Sequence, residues 1–318
     1  MCNVGITTER VLFIENMKKK IISIILTIAI LATFFIAGTF LGFEIYRSNY
    51  TLEVSNCTVS NSNFTSVIRM VRLADLHNRE FGVGNEQLLS LVRQQNPDII
   101  CCVGDLVMDD DENTEVAEEL IKGLVDIAPV YFSMGNHEVH HQMNFPSDFQ
   151  AMFETCGANV LEYEFEDIDI NGQILRIGGI YGYCIPESDS DNMRYNFKHK
   201  DFLKEFMKTD NYTLLLTHLP YTWLELDGLE EWDIDLVYTG HAHGGLIRIP
   251  KIGGVHAPLQ GLFPGKLEGK YESEDGSRVM ILTRGLGTSV FVPRINNVPE
   301  VMVVDIKADY LSQSSQND

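Results

Sequence analysis

The chain has 318 residues, 45% of them apolar and 22% charged, with a net charge of −21. This composition is globular: a disordered chain is less apolar, and a disulfide-stapled miniprotein is shorter and richer in cysteine than these 6. So acidic a chain repels nucleic acid and does not hold it by neutralising phosphates, although a small phosphate substrate stays open if the site brings its own positive charge.

Residues Ile21–Phe43 form an uncharged apolar run of 23 residues, directly preceded by Lys18, Lys19 and Lys20. About 20 such residues span the hydrocarbon core of a bilayer. A cleaved signal peptide has a shorter apolar region, of about 7–15 residues, and a core helix would carry a polar face. The run therefore reads as a single-pass membrane anchor. The three lysines put the 1–20 segment in the cytoplasm and the bulk of the chain on the extracytoplasmic side. Met17 also resembles a natural start, which would make residues 1–16 an extension. Residues 44–66, rich in Ser, Thr and Asn, read as a polar linker or a weak first strand.

Strands and helices then alternate from 67 to 307, a span read as one catalytic domain and followed by a polar tail over 308–318. The pattern predicts strands at Val67–Leu73, Asp98–Val103 and Val130–Met134, with helices at Asn85–Gln95 (Asn85 as its cap), Asn113–Ile127 and Phe145–Thr155. Val160–Ile180 reads as a hairpin about Asn171-Gly172. A helix at Phe197–Met207 and strands at Thr213–Leu216, Asp235–Tyr238, Val279–Thr283 and Val301–Ile306 complete it. This is an α/β sandwich with much of its sheet buried. Cys101 and Cys102, neighbours in a strand, point to opposite faces. No cysteine pair has C-x-x-C spacing, so neither a zinc knuckle nor a thioredoxin-type site is written here.

Ligands of α/β sheets sit beyond the carboxyl ends of strands, and here those ends carry metal-ligand chemistry. They read Asp75-Leu76-His77, Gly104-Asp105, Gly135-Asn136-His137-Glu138, Thr217-His218 and Gly240-His241-Ala242-His243. On an extended chain the i, i+2 pairs Asp75/His77 and His241/His243 leave one face. Mixed imidazole, amide and carboxylate donors suit Mn²⁺, Fe²⁺ or Zn²⁺ better than Ca²⁺. Seven donors (Asp75, His77, Asp105, Asn136, His218, His241 and His243) exceed one tetrahedral ion and suit two divalent ions sharing a carboxylate, with Asp105 the natural bridge. Elsewhere, Arg79 is a candidate phosphate contact, Glu138 a carboxylate that orients a ligand, and His256 a pocket-lining residue. His140, His141, His199 and the acidic run Asp109–Glu119 read as solvated.

The ordered set D-x-H, G-D, G-N-H-E, H and G-H-x-H resembles the calcineurin-like metallophosphoesterases, and the continuation GHAHGGLIRIP resembles their membrane-anchored bacterial branch of YkuE/YaeI type. The resemblance implies two β-sheets flanked by helices. It also implies one ion on Asp75, His77 and His243, a second on Asn136, His218 and His241, and Asp105 bridging both. His137 is then a catalytic acid and not a ligand, and the reaction is direct hydrolysis by a metal-activated hydroxide. The arginine-bearing motifs of phosphoprotein phosphatases are not evident, which favours phosphodiesters over monoesters. The anchor favours lipid-linked or envelope substrates. The alternatives are a nuclease of the same superfamily, disfavoured by charge, and a non-catalytic metal-stabilised module at the membrane. Oligomeric state is not encoded in any motif.

Overall fold

The computed structural model describes residues 8–61, 64–182, 184, 197–258 and 260–308. Apart from Ala308, the 308–318 tail lies outside the described residues, as do residues 1–7. The chain divides into two compact units, Met1–Tyr46 and Arg47–Asp318.

The described part of the first unit, from Thr8 onward, is helical. Helix α1 runs from Thr8 to Tyr50 and is long and apolar enough to cross a membrane. Its few hydroxyls do not break the apolar character. Thr27, Thr33 and Thr39 donate to the carbonyls of Ser23, Ala29 and Phe35 at 2.9, 2.9 and 2.6 Å, so those donors are satisfied within the helix.

The second unit is built on two six-stranded sheets. The first has the order β1 (Glu53–Ser60), β16 (Glu300–Lys307), β2 (Ile68–Leu73), β3 (Ile99–Val103), β4 (Val130–Ser133) and β5 (Asn159–Val160). Strands β2 to β5 are mutually parallel, and β16 runs antiparallel to β2. The second has the order β14 (Gly269–Glu272), β15 (Val279–Leu282), β9 (Leu236–Thr239), β8 (Tyr212–Leu216), β7 (Gln173–Gly179) and β6 (Glu164–Ile170). Here β7, β8, β9 and β15 are parallel. Two short hairpins pair β10 (Arg248–Ile249) with β11 (Gly253–Gly254) and β12 (His256–Ala257) with β13 (Gly261–Leu262).

Period-2 alternation sorts each strand between two cores. Ile68, Met70, Cys101 and Val103 of the first sheet meet Ile177, Leu214, Leu216 and Tyr238 of the second in an inter-sheet core. Val71, Leu73 and Cys102 face the other way, onto helices α2 (Glu86–Gln94), α3 (Glu115–Val125) and α5 (Phe149–Thr155). Leu215, Val237 and Met280 pack beneath α6 (Phe197–Phe206), α7 (Tyr221–Glu225) and α8 (Gly228–Glu231). The fold is thus helices, sheet, sheet, helices, and Cys101 and Cys102 do divide between two cores.

Several local expectations change. Residues 44–66 contain a real strand, not only a linker: β1 pairs in parallel with β16 over eight residues. As an edge strand in which Val59 alone is buried, it keeps the polar composition of a loop. An unexpected helix, α4 (Asn136–Asn144), follows β4. Asn85 does not cap α2, because its Oδ1 instead accepts the Phe81 amide at 3.0 Å. Asp148 does cap α5, accepting the Ala151 amide at 3.0 Å. The Asn171-Gly172 turn has φ of 55° and 79°, as a two-residue primed turn requires.

Candidate metal centre

The site forms where β2, β3, β4, β8 and β9 end. Past β2, the backbone stays paired with the end of β3: Asp75 donates to the Gly104 carbonyl and His77 to that of Asp105, both at 3.0 Å. The chain there is not extended, however. Asp75, His77, Asp105, His241 and His243 have φ of 57°, 50°, 55°, 71° and 48°. Convergence of the i, i+2 pairs therefore comes from a left-handed turn at each donor, not from strand alternation.

Six of the seven expected donors come together. The side chains of Asp75, His77 and His243 offer ligand atoms within 4.8 Å of one another, and so do those of Asp105, His218 and His241. His77 Nε2 lies 3.3 Å from His243 Nε2. His243 Nε2 lies 3.7 Å from Asp75 Oδ1. His218 Nε2 lies 3.0 Å from Asp105 Oδ2 and 3.7 Å from Asp75 Oδ1. His218 Nδ1 donates to the Val103 carbonyl at 2.8 Å, which leaves the Nε2 lone pair aimed at the two carboxylates. Asn136 opens α4, and the next peptide N–H, of His137, donates to Asp105 Oδ1 at 2.8 Å.

Whether cations fit can be judged from the polar atoms left over. Asp75 Oδ2, Asn136 Oδ1 and His218 Nε2 are buried without a hydrogen-bond partner. The 3.0 Å approach of His218 Nε2 to Asp105 lacks hydrogen-bond alignment. The Asp75 carboxylate and His218 Nε2 lie 3.7 Å apart, and desolvated lone pairs this close repel one another unless a positive charge lies among them, so this donor set fits divalent cations.

The electrostatics agree. Burial pushes His77 down to about 3, against the pull of Asp105, and His243 well below the usual imidazole range. Burial and the neighbouring His218 push His241 down to about 4. These rings are neutral donors. His218 is the exception: burial would lower it, but Asp105 and Asp75 outweigh burial and raise it to about 9. Burial would raise Asp105, yet His218, His77 and His137 hold it well below the carboxylate range.

Glu138 locks the two loops together. Fully buried, it accepts the amides of Asp105 at 2.8 Å, Gly135 at 2.7 Å and Leu106 at 2.7 Å. Burial and the charge of Asp105 raise its pKa, and the amide hydrogen bonds oppose that rise. His137 projects to the same region, with Nε2 4.0 Å from Asp105 Oδ2. Its Nδ1 lies 3.0 Å from Asp109 Oδ1.

Two participants escape sequence reasoning. Asp109 lies not in a solvated run but beside His137, four residues past Asp105. Arg294, fully buried, sends its Nε to the Gly287 carbonyl at 2.9 Å and its Nη2 to the Arg284 carbonyl at 2.7 Å, and Nη2 lies 3.4 Å from His243 Nδ1. No motif marks it. Arg79, a candidate phosphate contact, donates instead to the Asn49 carbonyl and stacks 4.7 Å from the Tyr50 ring. His141 is buried in α4 against Phe145 and Phe149, not solvated, while His140 is exposed. His199 is engaged by the Tyr163 hydroxyl at 2.6 Å. His256 is exposed on β12.

Comparison with known proteins points one way. A family model described as calcineurin-like phosphoesterase matches residues 68–245. An uncharacterised metallophosphoesterase of Campylobacter jejuni is 29% identical over 206 residues, 62% of this chain, and the match spans only half of that protein's length (50%). One of Aquifex aeolicus is 26% identical over 84% of this chain and 96% of its own. The phosphodiesterase YaeI of Escherichia coli is 25% identical over 75% and 82%.

Proposed function

The chain belongs to the calcineurin-like phosphoesterase family, and from that premise we propose that it is a membrane-anchored phosphodiesterase that carries two divalent cations. Asp75, His77 and His243 would hold one ion, Asn136, His218 and His241 the other, and Asp105 both. The observation that carries this reading is the convergence of two acid-histidine triads, in which Asp75 Oδ2 and His218 Nε2 are buried without a hydrogen-bond partner. The nitrogen and oxygen mixture suits manganese, iron or zinc. When bound, such ions lower the pKa of water toward neutrality and polarise phosphoryl oxygens.

The protein's own groups do the rest. Glu138 fixes the Asp105 backbone, so the carboxylate does not have to reorganise during the reaction. His137, its Nδ1 beside the Asp109 carboxylate, is placed to hold a proton on Nε2 and pass it to the leaving oxygen. Asp109 stabilises the imidazolium form before the transfer, and loss of the Nε2 proton leaves neutral imidazole. Preference for diesters rests on the likeness to YaeI, which is named a phosphodiesterase. The apolar run 21–43 would anchor the domain outside the cytoplasm, within reach of lipid-linked or envelope phosphodiesters. A nuclease of the same family is the weaker reading at a net charge of −21.

The test uses the full chain in detergent, stripped of metal and reloaded with Mn²⁺, on bis-p-nitrophenyl phosphate and p-nitrophenyl phosphate. Metal-dependent turnover that favours the diester and is abolished by Asp105→Asn is expected. Full activity of Asp105→Asn, or no turnover with any divalent ion, would sink the reading.

A further inference from the structure

The loops between His243 and β16 carry apolar tips that the domain leaves uncovered. Phe291 is fully exposed at 106%, flanked by exposed Val290 and Val292. Leu262 is 71% exposed beside Phe263, and Ile252 is 65% exposed beside Ile249. A soluble surface scatters such residues singly, but these lie on one ladder of backbone. Arg248 donates to the Ile295 carbonyl at 3.0 Å, Val255 to that of Ile247 at 2.8 Å and Phe263 to that of Val255 at 2.8 Å. Pro250, Pro264 and Pro293 stiffen the three tips.

The same ladder is where the chain enters the domain. Asn49 Nδ2 donates to the Arg294 carbonyl at 2.9 Å, and Asn49 Oδ1 accepts the Arg294 amide at 3.2 Å. Ser48 Oγ accepts the Asn297 amide at 3.1 Å. The apolar run ends at Phe43, six peptide links before Asn49, a reach of at most about 22 Å. Arg294 is three residues from Phe291. The loop with the most exposed tip is therefore pinned to the stretch of chain just outside the span.

We infer that these tips form a bilayer-docking surface: Phe291, Leu262, Phe263 and Ile252 dip into the headgroup and acyl boundary of the membrane that the chain's own span crosses. The inference rests on the anchor reading. Large apolar rings on rigid loops suit that boundary, where about 5–10 Å of penetration buries them without breaking backbone hydrogen bonds. Through Arg294 and Asn297, which touch His243, docking would also fix the metal centre relative to the membrane surface. Asn297 Nδ2 donates to the His243 carbonyl at 2.7 Å.

The full chain with Phe291→Trp, reconstituted in vesicles carrying brominated acyl chains, tests this. Ile174→Trp is the control, because Ile174 is exposed at the opposite end of β7 from the site. Relative to the unsubstituted chain, the indole added by Phe291→Trp should emit to the blue and lose intensity to bromines near the headgroup boundary. The indole added by Ile174→Trp should do neither. A chain that stays in the vesicles after an alkaline wash, but whose indole at position 291 emits as in water, overturns docking alone. A chain that washes off overturns the anchor reading and docking together. A detergent dimer abolished by Phe291→Asp would give the surface to self-association and overturn the lipid assignment. Turnover of the soluble diester, measured on the same samples, reports the catalytic reading separately.

Discussion

Glu138→Gln isolates the tie between the two central loops. The carboxylate accepts three short amide hydrogen bonds, from Asp105, Gly135 and Leu106, and a longer one from Val107 at 3.4 Å. An amide keeps one oxygen and turns an NH₂ toward the remaining donors. In the milder orientation the oxygen stays with Asp105 and Gly135, and the Leu106 and Val107 amides lose their acceptor. A hydrogen bond to a charged group contributes about 1.5–3 kcal/mol, and a stranded buried donor costs about 1–3 kcal/mol. Removing a buried charge returns part of this, since burial raises the Glu138 pKa. The net loss should be about 2–4 kcal/mol, or roughly 5–15 °C in melting temperature for a domain of this size. Because the Asp105 backbone moves with the tie, Mn²⁺ affinity should fall about 10- to 100-fold, as it does when groups behind a ligand are removed. Calorimetric titration of metal-stripped full chain, with thermal melts alongside, measures both. Unchanged stability and unchanged affinity would refute the assignment of Glu138 as the positioning carboxylate.

Asp109→Asn should lower turnover about 10- to 100-fold, part of the roughly 10²–10⁴ a general acid supplies, with Mn²⁺ affinity unchanged; pH–rate profiles of the two proteins would separate a lost proton partner from a lost metal. Glu162 is pushed up to about 7 from 4.5, chiefly by burial and against the Tyr181 amide and Lys198. A raised folded pKa means stability that is complete below 4.5 and lost as pH rises through about 7. Between about pH 4.5 and 8 the protein should therefore lose about 3 kcal/mol relative to Glu162→Gln, read from urea midpoints at both ends of the range. Gly135→Ala would drive a Cβ into the Asp105 carboxylate and amide. Metal content after purification, measured by mass spectrometry, should drop in that variant, and wild-type content would contradict the close approach.

The donors were legible because each follows an apolar strand with a glycine or a short polar motif, and strand order alone brings their ends together. The geometry at each donor was not. Strand alternation suggested an extended path, whereas left-handed turns make the approach, and no composition signals φ. Helix α4 escaped because NHEVHHQMN offers no apolar stripe, its inward contacts being made by Val139 and the polar Glu138 and His141. The polar sequence of an edge left strand β1 as one of two readings of residues 44–66. Asp109 was lost in a run of acids, and Arg294 is defined by the Gly287 and Arg284 carbonyls of its own loop and by a histidine on another loop. Such residues become visible when the backbone is traced.

The left-handed backbone at Asp75, His77, Asp105, His241 and His243 has a consequence for how this protein tolerates change. Each such residue costs on the order of 1 kcal/mol, so the five together rival the whole folding free energy of about 5–15 kcal/mol of an ordinary domain. Glycine adopts the same conformation freely. Laboratory evolution for heat resistance alone would be drawn to glycine at these five positions. It would yield hardier proteins without the side chains of the proposed metal site, so any such selection needs a turnover screen beside it.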